Sequence, residues 1–207
     1  MNSVLLTGVI LLAAMTLGWV LHNRSARDMR AILRRLAAEK NGTVESASLL
    51  FMPKLRFSYS GTQVEVSSAS TGTSGNSKRY TYAVFSGLTS KGFEFRILPR
   101  SLQTMSAKWV GRKKTMSTQV DELDQRLVIY TNNEPVMEAV LSDRVRADLL
   151  SWAKQKENRI SDIRNYDNKM IFAVTGTLKN HEEYELLLDT ACRFYDAVTN
   201  VVSESRE

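Results

Sequence analysis

Residues 54–68, KLRFSYSGTQVEVSS, decide the fold class. Leu55, Phe57 and Tyr59 alternate with polar residues, Val64 and Val66 do the same, and Ser60-Gly61 falls between the two arms as a turn. A period of two means that each arm buries one face and wets the other, the pattern of an antiparallel sheet. RYTYAVFSG (79–87), FEFRILPR (93–100), RLVIYT (126–131), NRISDIRN (158–165) and KMIFAVTG (169–176) read as further strands.

Helical spacing appears in three other places. SARDMRAILRRLAAEKNG (25–42) brings Met29, Ile32, Leu33, Leu36 and Ala37 to one face, and Asn41-Gly42 is a stop signal. NEPVMEAVLSDRVRADLLSWAKQK (133–156) reads as one broken helix or two short ones, with Pro135 suited to a first turn. NHEEYELLLDTACRFYDAVTNVV (180–202) opens with Asn180 as cap and Glu183 three residues later, a capping box. Tyr184, Leu187, Leu188, Ala191, Tyr195 and Val198 share one face of it. Together these segments predict an α+β fold in which antiparallel sheet carries helices on one face.

The amino terminus adds an expectation of its own. Met1 to Asn23 holds no charged side chain, and Ser3 to Leu21 is nearly continuous apolar sequence. A membrane-crossing helix takes about 20 residues. A cleaved secretory signal is the rival, but residues 1–3 carry no Lys or Arg, and bulky residues fill TLGWVLHNRSA where a peptidase takes small ones. The expectation is therefore a transmembrane anchor at 1–23, a juxtamembrane helix at 24–42 and a soluble α+β domain at 43–207. That domain divides into a strand-rich block at 43–100, a linker at 101–124 and a mixed block at 125–207. Arg24, Arg27, Arg30, Arg34, Arg35 and Lys40 follow the apolar run. By the positive-inside rule they place the amino terminus outside and the domain in the cytoplasm.

Composition excludes more than it assigns. The 207 residues include one cysteine and two histidines, so no internal disulfide forms and no Cys/His cluster has zinc-ligand spacing. Neither a metal nor a cofactor is expected. Residues 1–114 carry 17 Lys/Arg against 5 Asp/Glu and residues 115–207 carry 11 against 17, so the chain is +12 in its first part, −6 in its second and +6 overall. No nucleic-acid-binding module accompanies that excess.

Several clusters invite a chemical reading. Cys192 lies beside an apolar stripe and reads as an inert thiol. Glu182, Glu183 and Glu185 crowd a helix start, where they complement its dipole. DELD (121–124) reads as a solvated acidic run in a loop, and TGTSGNSKR (71–79) as a hairpin loop without the Gly-Lys-Ser/Thr ending of a nucleotide loop. The favoured segment is SAKWVGRKKTMS (106–117), where Lys108, Arg112, Lys113 and Lys114 surround Trp109. An aromatic anchor among cations suits an anionic lipid surface or an acidic partner.

The order of anchor, basic helix, GTVESASLLFMPKLRFSYSGTQVEV (42–66), RLVIYTNNEPVMEAVLSDRVRADLLSWAKQ (126–155) and closing helix resembles bacterial single-pass inner-membrane proteins with a cytoplasmic α+β domain of unknown function. The resemblance implies an envelope setting and no catalytic residues. The expectation it completes is a membrane-tethered, non-enzymatic interaction or scaffold domain that holds a cytoplasmic protein partner. Its rivals are an enzyme with a site assembled from scattered polar residues, and a homo-oligomer formed through the span or the last helix.

Overall fold

The computed structural model describes residues 3–45, 52–71, 78–102, 114–155 and 159–204. Among these described residues nine strands form one sheet in which every neighbouring pair is antiparallel. In chain order they are β1 (Thr43–Glu45), β2 (Lys54–Tyr59), β3 (Thr62–Thr71), β4 (Lys78–Ser86), β5 (Phe95–Pro99), β6 (Lys114–Met116), β7 (Leu127–Thr131), β8 (Ile160–Tyr166) and β9 (Lys169–Thr175). Across the sheet the order is β1-β2-β3-β4-β9-β8-β5-β7-β6, so the β8–β9 hairpin sits between β4 and β5, which are consecutive in the chain.

The turns follow local chemistry. Between β2 and β3, Ser60 and Gly61 both take positive φ (48° and 75°) and leave Tyr59 opposite Thr62. Asp167 and Asn168 (47° and 57°) do the same between β8 and β9. Two consecutive left-handed residues make the turn whose twist matches a hairpin.

Described helices are α1 (Ser3–Glu39), α2 (Asp121–Arg126), α3 (Glu134–Val140), α4 (Asp143–Lys154) and α5 (His181–Glu204). Asn133 and Ser142 cap α3 and α4, accepting from the Val136 and Val145 N–H groups. The helices pack on one face of the sheet, as the sequence predicts. Leu55, Phe57, Val64, Phe85, Ile97 and Phe172 of the strands share one buried cluster with Leu33, Leu36, Trp152, Leu187, Phe194 and Val198 of the helices. Aromatic edges and faces knit it together: the Phe85 and Tyr195 rings stack at 4.7 Å, and Phe194 meets Phe95 and Phe172 at 5.6 and 6.3 Å.

Helix α1 overturns the amino-terminal expectation. Among the described residues no helix is long and apolar enough to cross a membrane. The apolar run does not close as a separate span. It continues without a break through the arginine-rich stretch as a single 37-residue helix. The later part of that helix is a packing element, with Ala26, Met29, Leu33, Leu36 and Ala37 buried. The transmembrane part of the fold class, the single-pass inner-membrane layout and the likeness resting on it are corrected accordingly. So are the outside-to-cytoplasm orientation and the integral membrane partner.

The end of α1 also divides the Asn41-Gly42 signal between two residues. Asn41 takes the left-handed conformation (φ 51°). Gly42 is needed for a different reason: a Cβ there would lie 2.6 Å from the Arg56 carbonyl oxygen, so only glycine lets the chain pass β2. Within 101–124, expected to be a connection, the described residues include β6 and the start of α2.

Candidate metal centre

The first turn of α5 is fixed by its own cap. Asn180 Oδ1 accepts the Glu183 N–H at 2.9 Å, and Glu183 Oε2 reaches back to the Lys179 N–H at 2.9 Å. Glu183 also faces Arg159, Oε1 to Nη1 at 3.5 Å. Its carboxylate is thus consumed by the cap and one ion pair. His181 and Glu185 stand one turn apart on the same face.

The end of α1 meets that face. Glu39, its last residue, places Oε2 3.1 Å from His181 Nε2, and Glu185 Oε1 lies 3.4 Å from the same nitrogen. One ligand atom from each of the three residues falls within 4.8 Å of the others. The imidazole is 9% exposed, against 38% and 45% for the two carboxylates, so a buried nitrogen faces an open acidic edge. Glu39 Oε1 is engaged separately, by Arg35 Nε at 3.3 Å. Just past the end of α1 and one turn along α5, Lys40 Nζ approaches Asp189 Oδ1 at 4.0 Å.

The two separations from His181 Nε2, 3.1 and 3.4 Å, suit ligands of one metal ion. Two ligands bound at about 2.0–2.1 Å and held near the tetrahedral angle lie about 3.3–3.4 Å apart, and nearer 3.0 Å at a right angle. Two carboxylates this close also repel unless a positive charge lies between them. A divalent ion supplies that charge. The imidazole Nδ1 is buried without a hydrogen-bond partner. With Nε2 on a metal, the proton must sit on Nδ1, where no acceptor orients it. Packing therefore holds the ring instead of the usual carboxylate or carbonyl.

The sequence missed this centre. It assigned the glutamates at 182–185 to the helix dipole and gave the histidines no role. The spacing of His181 and Glu185 was visible, but Glu39 reaches them only through the packing of α1 on α5. Of the basic cluster it favoured, Lys114 is the exposed first residue of β6, opposite Thr131. Lys108, Trp109, Arg112 and Lys113 lie outside the described residues, as do Gly72 and Gly75 of the expected hairpin loop. DELD is not a solvated loop: it opens α2, and Asp124 accepts from the Ser117 hydroxyl at 2.5 Å, the Thr118 N–H at 2.9 Å and the Thr118 hydroxyl at 2.8 Å. Burial alone would raise the Asp124 carboxyl, but these bonds together hold it below the ordinary carboxylate value. Cys192 is half-buried, and burial pushes its thiol up to about 12.

No family model matches the chain, and no curated protein does. A solved structure is similar to it: the crystal structure of the mycobacterial trehalose monomycolate transport factor A, TtfA. The likeness covers 81% of this chain and 94% of that one, with a TM-score of 0.50 and 13% sequence identity. It shows a shared fold alone. The tethered-scaffold reading falls with the anchor on which it depended.

Proposed function

We propose that this chain is a divalent-metal-binding domain in which Glu39, His181 and Glu185 hold the ion. The convergence of His181 Nε2 with two carboxylate oxygens at 3.1 and 3.4 Å carries the reading. One imidazole and two carboxylates suit zinc and its first-row neighbours better than calcium or magnesium, which favour all-oxygen shells. Three protein ligands leave coordination positions for water or substrate, the pattern of catalytic zinc sites and not of closed structural ones. This favours the enzyme reading over a scaffold. A bound ion would supply a Lewis acid and a water of lowered pKa there. It would also clip the end of α1 to the start of α5. Without a partner for Nδ1, affinity should fall about 10–100-fold short of a site with a backed histidine.

Titration of the full chain with Zn²⁺ by calorimetry is the test. We expect one equivalent bound, weakening in acid because the ligand imidazole must be unprotonated. His181→Gln and Glu185→Gln should each cost about tenfold or more in affinity, while Cys192→Ser should bind as the parent does. An absence of saturable binding, or a His181→Gln protein that binds equally well, refutes the reading. His181 would then be left as a hydrogen-bonded link between Glu39 and Glu185.

A further inference from the structure

The second face of the sheet carries no described helix, yet it is not simply wet. Leu98, Val128 and Tyr130 form a small buried cluster there. Beside it, β4, β9, β8 and β5 shape a cleft of about 430 Å³, inside the range of about 300–1,000 Å³ that small-molecule sites occupy. Val84, Ile171, Ala173 and Leu98 give it an apolar floor, with Tyr80 and Tyr82 on β4 and the charged groups on β8 and β5.

Those charges are arranged at a cost. Arg96 of β5 and Arg164 of β8 are directly opposed across the ladder, and like charges in that position destabilise a sheet. Asp162 lies between them. It takes Arg96 in a two-point contact, Nε to Oδ1 and Nη2 to Oδ2 both at 2.9 Å, and touches Arg164 Nη1 at 3.3 Å. Two guanidinium groups thus share one carboxylate, and a positive charge is left over. The side chains are only 17% (Arg96) and 31% (Arg164) exposed, so water screens that charge incompletely. Arg164 Nε is buried and has no acceptor, an N–H group that folding has dried without replacing its hydrogen bond. The β-bulge between Ile160 and Asp162 adds Ser161 to the lining while Ile160 turns into the core. Bulges of this kind often re-aim side chains beside binding sites.

We propose that this cleft binds a small amphipathic carboxylate. Its apolar body lies on the floor beside the tyrosines, and its single negative charge meets the Arg164 guanidinium. The surplus of one charge matches a monoanion, and a guanidinium edge matches a planar carboxylate in two-point contact. The inference is independent of the metal centre, which lies among the helices at the junction of α1 and α5.

The test uses the full chain and two probes, decanoate and 1-naphthylacetate, each beside its primary amide. Binding is followed by calorimetry and by amide shifts of residues 80–84 and 171–173 in NMR spectra. We expect saturable binding of one molecule per chain, with each carboxylate preferred over its amide by about tenfold or more. Arg164→Met should abolish the preference and keep weak apolar binding, and Arg164→Lys should restore part of it. Should Arg164→Met fail to fold, Val84→Trp, which fills the floor from a half-buried position, should abolish binding of all four probes. No saturable binding at about 1 mM, equal affinity for acid and amide, or a preference that survives Arg164→Met overturns the proposal. Preference for decyl phosphate over decanoate overturns the assignment of a carboxylate.

Discussion

Asn165 closes the seam between β5 and β8 with its side chain, and replacing it should open that seam. The backbone ladder pairs Arg96 with Arg164 and Ile97 with Ile163. One step on, the Asn165 amide takes over: Oδ1 accepts the Phe95 N–H at 2.8 Å and Nδ2 donates to the Phe93 carbonyl at 2.6 Å. Asn165 is 4% exposed, so water cannot substitute. Asn165→Leu keeps most of the volume and leaves one backbone donor and one acceptor buried and unpaired. Each orphaned group costs about 1–3 kcal/mol, which for the two sets the expected loss at about 2–6 kcal/mol. Set against a total stability of about 5–15 kcal/mol, the variant should fold and melt early, and urea denaturation at neutral pH measures the loss. Asn165→Asp is the sharper companion. Its carboxylate still accepts from Phe95 but faces the Phe93 carbonyl with no proton to offer. Its deficit should shrink as pH falls, because the protonated acid donates again. A loss under about 0.5 kcal/mol for Asn165→Leu, or a deficit in Asn165→Asp that ignores pH, would refute this account of the seam.

Other parts of the structure make predictions of the same kind. Trp152, 1% exposed, donates Nε1–H to Thr190 Oγ1 at 3.2 Å and so ties α4 to α5; Trp152→Ala should cost about 3–5 kcal/mol in denaturant melts. Burial would raise the Glu65 carboxyl, but hydrogen bonds from Lys54 and Arg56 outweigh it and hold it below its ordinary value. The folded state therefore binds that proton less readily than the unfolded one. The stability it gives is present above about pH 5 and is lost as pH falls through the folded value, so Glu65→Gln should flatten the acid limb of a stability-against-pH curve. Cys192, with its thiol pushed up to about 12 by burial, should react with a disulfide reagent at pH 8 far more slowly than the unfolded chain does; equal rates would contradict its packing.

What the sequence disclosed, and what it hid, divides along local and distant contacts. The β2–β3 hairpin was readable because alternation and a Ser-Gly turn are encoded within 15 residues. The capped start of α5 was readable for the same reason, though its Glu183 closes on Lys179 instead of on Asn180. The NRISDIRN strand was harder: Ile160 and Ile163 are three apart, and only the bulge lets both face the core. The apolar amino-terminal run misled because hydropathy averaged over a window is blind to the residues beyond it, and here the helix runs on into a docking face. The Glu39–His181–Glu185 cluster and the cleft were both invisible for one reason. Each is made where elements distant in the chain meet, Glu39 with His181 in one case and β5 with β8 in the other.

The insertion of the β8–β9 hairpin between β4 and β5 has a consequence for how the protein is made. On a ribosome, β1 to β4 emerge first and pair in sequence, but β4 then waits with an open edge. Its partner is β9, with Thr81 opposite Val174 and Phe85 opposite Met170. At about 5–20 residues per second, that edge stays exposed for several seconds while the intervening chain is synthesised. The two halves of the sheet join only when the hairpin arrives, so closure is a late, non-local event and slow for the size of the domain. Release of a chain truncated before Lys169 should leave an adhesive strand in place of a smaller folded unit.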